Sequence, residues 1–136
     1  MTGMVFTVYL PLIWEGIMCL KYEFDATENL VVITVLGNCD MPVLVNTLKA
    51  ITSDSLFNRQ TKILIDKSQV TNFPTVDEAQ SLVEILGSTF QGHQIVTVAS
   101  DPCLFGLNRM ISTRSAMKGC RSRVVKTLSE AVSWLA

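Results

Sequence analysis

The sequence is short of charge, of histidine and of every glycine-rich signature that cradles phosphate. Only 17% of its 136 residues are Asp, Glu, Lys or Arg, against 49% hydrophobic. Disordered chains lack the apolar content to bury, so that balance excludes disorder. It is also light in charge for a lone monomer's surface, and a partner covering part of the surface, most simply a second copy in a homodimer, is expected. One histidine, His93, and four cysteines, Cys19, Cys39, Cys103 and Cys120, are the soft metal ligands available. No two cysteines form a C-x-x-C pair and their separations are long, which makes a poor zinc set. No metal and no cofactor are expected, and the cysteines read as free thiols in a reducing cytosol. A G-x-S-x-G elbow, a P-loop and a G-x-G-x-x-G turn are all missing. With them go the commonest nucleophile, phosphate and dinucleotide sites, so an enzyme is not expected.

Acidic residues are missing from one long stretch. Between Asp101 and Glu130 there is none, while Arg109, Arg114, Lys118, Arg121, Arg123 and Lys126 fall there, six of the eleven basic residues. Two readings stand. The stretch forms a site for an anionic partner, or it forms a solvated face opposite Asp77, Glu78 and Glu84. No aromatic residue interleaves with these charges, so base stacking and hence nucleic-acid binding are not expected.

What is present divides the chain into an N-terminal apolar extension, residues 1–17, and a single domain, residues 18–136. The run from Met4 to Trp14 is too short to span a bilayer and Pro11 interrupts it, so stable membrane insertion is not expected. It is an extra strand or dimer arm, an interfacial anchor, or sequence upstream of a true start at Met18, the reading preferred here. A domain of this length folds without staples.

Along the domain, Lys21–Phe24 and Leu30–Leu36 read as strands of an antiparallel hairpin across a polar turn. Asp40 with Pro42 opens a helix carrying Met41, Leu44, Val45, Leu48 and Ile51 on one face. Lys62–Asp66 is a buried strand. Thr75 and Glu78 form a capping box, opening a helix that ends at Gly92. Ile95–Ala99 is a strand. Asp101 then caps a helix with Leu104, Leu107, Ile111 and Met110 inward, and Gly106 within it suggests close backbone approach to the sheet or to something bound. Arg123–Lys126 is a short strand, and Thr127 with Glu130 caps a last helix. The order β-β-α-β-α-β-α-β-α predicts an α/β fold, a mixed five-stranded sheet whose strands after the hairpin are parallel.

Ligands of open parallel sheets sit outside the carboxyl ends of the strands, which here carry Asp66, Ser68 and Asp101. His93 precedes its strand, at the opposite end, and reads as a solvated loop residue rather than a base for either carboxylate. Cys103, in a first helical turn, is a redox-sensitive thiolate or a plain small helix residue, and the second is expected. Arg109 could hold an anionic headgroup, with Phe105 and Met110 lining a cavity beside it.

The segment DKSQVTNFPT, Asp66 to Thr75, resembles the STAS domain of sulphate transporters and anti-sigma-factor antagonists. Asp66, Ser68 and Val70 match its strand-end pattern, and Thr75 falls on its phosphosite. Pro74, Val76 and Asp77 depart from that pattern. The strand IVTVASD, the FGLNRM of Phe105–Met110 and the closing SEAVSWL are similar to the bacterial SpoIIAA-like branch of the superfamily. The resemblance spans Cys19 to Ala136. It implies a small α/β fold related to CRAL-TRIO lipid carriers, and a cytoplasmic, non-enzymatic regulatory or protein-interaction module with Thr75 as a candidate phosphosite. The alternative is a carrier or sensor of a small apolar or amphipathic anionic ligand such as a lipid.

Overall fold

The computed structural model describes residues 6–9, 19–37, 40–70 and 75–136. Six strands form one sheet in sequence order: β1 (Phe6–Tyr9), β2 (Leu20–Asp25), β3 (Leu30–Val35), β4 (Lys62–Asp66), β5 (Gln94–Val98) and β6 (Arg121–Val125). The β1–β2 and β2–β3 pairs are antiparallel, and every later pair is parallel. Four helices follow in turn: α1 (Met41–Ser53), α2 (Val76–Thr89), α3 (Pro102–Ala116) and α4 (Leu128–Leu135). No helix among the described residues is long and apolar enough to cross a membrane.

The α/β order after the hairpin agrees with expectation, but the sheet has six strands, not five. The sixth comes from Phe6–Tyr9, which pairs with the free edge of β2. An antiparallel hairpin leaves a row of unpaired backbone groups on its outer strand, and a short β-prone segment satisfies them.

The two faces of the sheet follow from the strand register. Tyr22 and Phe24, Val31 and Ile33, Ile63 and Ile65, and Ile95 point to one side, where Leu48 and Ile51 of α1 and Phe90 after α2 meet them. Ala79, Val83 and Ile111 join α2 to α3 on that same side. The other side carries Leu64, Val96, Val98 and Val125, covered by Ala131 and Leu135 of α4 with Leu30, Val32 and Trp134 packed against them. This explains why LVVITV at β3 is apolar without alternation, for both of its faces are covered. Each fully buried large side chain in these layers contributes about 1.5–3 kcal/mol.

Local chemistry ends the elements. The capping box of Thr75 and Glu78 is formed in both directions. Asp101 accepts backbone N–H bonds from Cys103 and Leu104, and Thr127 accepts one from Glu130. Asp40 stands at the N-cap of α1, yet its side chain makes no capping bond. Asn29, at φ 56°, closes the β2–β3 turn, a left-handed position that Asn tolerates well.

Several expectations about single residues are corrected. His93 is not a solvated loop residue. It is buried, its Nδ1 lies 2.7 Å from the Thr61 carbonyl oxygen, and its ring lies 5.0 Å from that of Phe57. Its polar sequence neighbours hide that packing. Gly106 faces open space rather than the sheet, and Met110 is exposed. Both sit on the outer side of α3. The last strand begins at Arg121, two residues earlier than expected, because an edge strand tolerates R-S-R where a central one does not. Cys19 is disulfide-bonded, not a free thiol. The β2–β3 pairing brings it beside Leu36 and Gly37, whose N–H groups donate to its carbonyl oxygen, so its distance in sequence from other cysteines is no bar to a bridge. With it goes the support that four free thiols lent to a reducing compartment. Cys39 lies outside the described residues, as do residues 10–18 and Pro74. Cys103 is exposed, whereas Cys120 is buried. The thiol of Cys120 donates towards the carbonyl oxygens of Leu86, Gly87 and Phe90, and burial raises its pKa.

Candidate binding groove and buried polar cluster

The parallel strands run in unbroken order, so the sheet has no point at which the strand order reverses and opens a ligand crevice. The carboxylates at the strand ends are instead taken up by local turns. Asp66 accepts the Ser68 N–H at 2.9 Å, and Asp101 accepts those of Cys103 at 2.9 Å and Leu104 at 3.2 Å. Among the described residues, the two clefts that Arg109 borders are not lined by Asp66, Ser68 or Asp101.

An open groove lies at the β6 edge of the sheet. With α1–α3 on one face and α4 on the other, β6 runs along a groove of about 510 Å³ between α3 and α4. Phe105, Arg109, Ser112 and Thr113 line it from α3, Ser122, Arg123 and Val124 from β6, and Trp134 from α4. The Arg109 guanidinium lies 6.0 Å from the centre of the Phe105 ring, and the Lys126 ammonium 5.3 Å. At those distances a ring face attracts each cation by about 0.5–1 kcal/mol in exposed settings. Met110 falls outside this groove, on a shallower cleft formed with Gly106, Arg109, Thr113 and Arg114. Arg109 borders both.

The basic stretch is not neutralised across the fold. Among the described residues only Lys118 meets a carboxylate, Glu84 at 3.0 Å, and Arg109, Arg114, Arg121, Arg123 and Lys126 meet none. The aromatic groups missing between these charges in sequence arrive from either side of the stretch, Phe105 from the start of α3 and Trp134 from the end of α4.

A second, interior cluster was not expected. Lys67, one residue past β4, turns to the α3 side of the sheet and donates to Asn108 Oδ1 at 2.7 Å. Asn108 is buried and passes its own N–H to the Leu104 carbonyl oxygen at 2.8 Å. Thr97, Ser112, Ser115 and Ser122 complete the walls of a cavity of about 10 Å³, roughly the space of one water. Burial pushes the Lys67 amine down to about 8, because an ammonium loses hydration there. The Ser115 hydroxyl is buried and has no hydrogen-bond partner among the described residues. Ser112 and Ser122, 2.6 Å apart, line both spaces, and their hydrogen bond forms part of the wall between cavity and groove.

The signal for this cluster was present in two periods. Lys67 continues the alternation of Ile63 and Ile65. Leu104, Asn108, Ile111, Ser112 and Ser115 recur at helical spacing, a buried stripe more polar than apolar. A search for hydrophobic periodicity passes over such a stripe.

Thr75 is exposed at the start of α2, its hydroxyl accepting the Glu78 N–H at 3.1 Å. Among the described residues no three His, Cys, Asp or Glu groups stand close enough to hold a metal. A scan against protein-family models and a search of curated proteins found no match to this chain.

Proposed function

We propose that this chain is a non-enzymatic binding module, of the regulatory or protein-interaction kind that its STAS-like order implies, and that it takes an anionic segment of a partner in the β6 groove. The observation that carries this reading is the pair Arg109 and Arg123, which line one groove with Phe105 and Trp134 and meet no carboxylate among the described residues. Two uncompensated guanidiniums beside aromatic faces suit carboxylates or phosphates in a bidentate grip. The non-enzymatic part is supported by the use already made of Asp66 and Asp101 as turn and cap acceptors. The amine of Lys67 faces a space of only about 10 Å³, too small for a substrate to approach. An amphipathic anion such as a lipid is the weaker alternative, since the groove is open and ringed by polar side chains and offers an acyl chain no enclosed tunnel. A phosphate on Thr75 fits the same regulatory reading, because an anion at a helix N-terminus is favoured by about 0.3–1 kcal/mol.

The test is a titration of isotopically labelled protein with a six-residue peptide of alternating Glu and Val, against its Gln–Val counterpart. The acidic peptide is expected to shift the amide signals of residues 105–113, 122–126 and 134. Its binding should weaken as salt rises, and R109A/R123A should lower its affinity at least tenfold. Equal binding of the two peptides, or shifts elsewhere in the chain, would sink the reading.

A further inference from the structure

The groove follows a free strand edge, and the backbone hydrogen bonds say which groups of that strand are free. The Arg121 N–H donates to the His93 carbonyl oxygen at 3.0 Å, and the Val125 carbonyl oxygen accepts the Ala99 N–H at 3.0 Å. Residues 121 and 125 therefore direct their backbone groups to β5. In a parallel ladder residues alternate between neighbours, so Arg123 belongs with them. Ser122 and Val124 direct their N–H and C=O groups outward, and both residues line the groove. Among the described residues β6 pairs with β5 alone.

We propose that an extended acidic segment of a partner protein docks in this groove by adding a seventh strand to β6, held by the backbone groups of Ser122 and Val124. The proposal rests on the anionic-partner reading and names its occupant and mode. Five residues of β6 offer roughly 16 Å of edge, enough for four or five residues of guest. Successive guest side chains point to opposite faces. On the α4 face an acidic one lies across from Arg123, at a cross-strand distance where opposite charges attract. On the α3 face the next one meets Arg109 or the Phe105 ring. A second copy of this chain suits the edge poorly. Antiparallel self-pairing about Arg123 would set Arg123 of one strand directly against Arg123 of the other, and like charges directly opposed destabilise a pair.

Amide hydrogen exchange with and without the Glu–Val peptide, together with N-methylated peptides, tests this. The expected result is at least tenfold slower exchange of Ser122 and Val124 on binding, with Arg121, Arg123 and Val125 changed little because β5 already protects them. Methylating one alternate set of peptide amides should weaken binding at least tenfold, and the other set less than threefold. If the peptide binds in the groove but leaves both exchange rates unchanged, or if both methylated sets bind alike, strand addition is overturned while the anionic-partner reading survives. If the peptide does not bind at all, both fail. Slowed exchange of Ser122 and Val124 that grows with protein concentration alone would overturn the choice of partner in favour of self-association.

Discussion

Lys67 makes the protein's stability depend on pH in a direction opposite to that of most lysines. In the folded chain its amine releases its proton near pH 8, while in the unfolded chain it keeps it to about 10.5. Between those values the unfolded state binds more protons, so this group makes stability rise with pH. Below pH 8 the group is charged in both states and its full desolvation penalty weighs on the fold. The ceiling on the gain is about 3 kcal/mol. Lys67 is only half-buried, so solvent screens part of it, and about 1–3 kcal/mol is expected. Cys120 works the other way. Its thiol stays protonated in the fold while the unfolded thiol ionises, so its contribution falls as the pH passes through the ordinary thiol range. Lys67→Met separates the two, because both proteins share Cys120. The variant removes the charge but leaves Asn108 Oδ1 without its donor, a cost of about 1–3 kcal/mol, so at pH 7 it should differ little from the parent. Urea unfolding from pH 7 to pH 10.5 should show the parent gaining about 1–3 kcal/mol on the variant, nearly all of it above pH 8. A difference that stays constant within about 0.5 kcal/mol across that range would show that the amine is solvated in the folded chain.

Ser115→Ala removes a buried hydroxyl that has no partner among the described residues, so it is expected to leave the midpoint of thermal unfolding unchanged or to raise it by a few degrees; a fall of 5 °C or more would mean that the hydroxyl is satisfied in solution. Asp101→Ala removes the acceptor of two N–H groups at the start of α3 and should cost about 0.5–2 kcal/mol in urea unfolding, with no effect on binding of the acidic peptide. Phe90→Ala, at a fully buried ring between α2 and the sheet, should cost about 3–5 kcal/mol in the same assay. With a thiol reagent such as Ellman's, native protein should react at Cys103 in seconds to minutes and at Cys120 only on unfolding; equal rates would contradict the burial of Cys120.

The order of elements was legible because each rests on chemistry local to the chain. Apolar runs such as Lys62–Asp66 and Gln94–Val98 are strands whatever surrounds them, and Thr75 with Glu78 forms its capping box from four consecutive residues. Phe105 and Arg109 lie one helical turn apart on α3, but that they share a groove with Arg123 and Trp134 is decided by the packing. His93 and the Lys67–Asn108 pair were not legible. Each is a polar side chain buried by partners distant in sequence: Thr61 for His93, and for Lys67 a helix that begins thirty-five residues later.

By itself the sequence determined the α/β alternation, the caps that begin α2, α3 and α4, and the long basic stretch without acids, because propensity, capping and composition act over a few residues at a time. Only the tertiary structure decided what surrounds that stretch. Among the described residues it left Lys118 alone of those cations paired with a carboxylate. It carried Phe105 and Trp134 in beside Arg109 and Arg123 from opposite faces of the sheet. Among the described residues it placed β6 at an edge, with the backbone groups of Ser122 and Val124 directed away from β5. A strand's neighbours are set by the packing of the whole sheet, and no window of sequence around Arg121–Val125 contains that information.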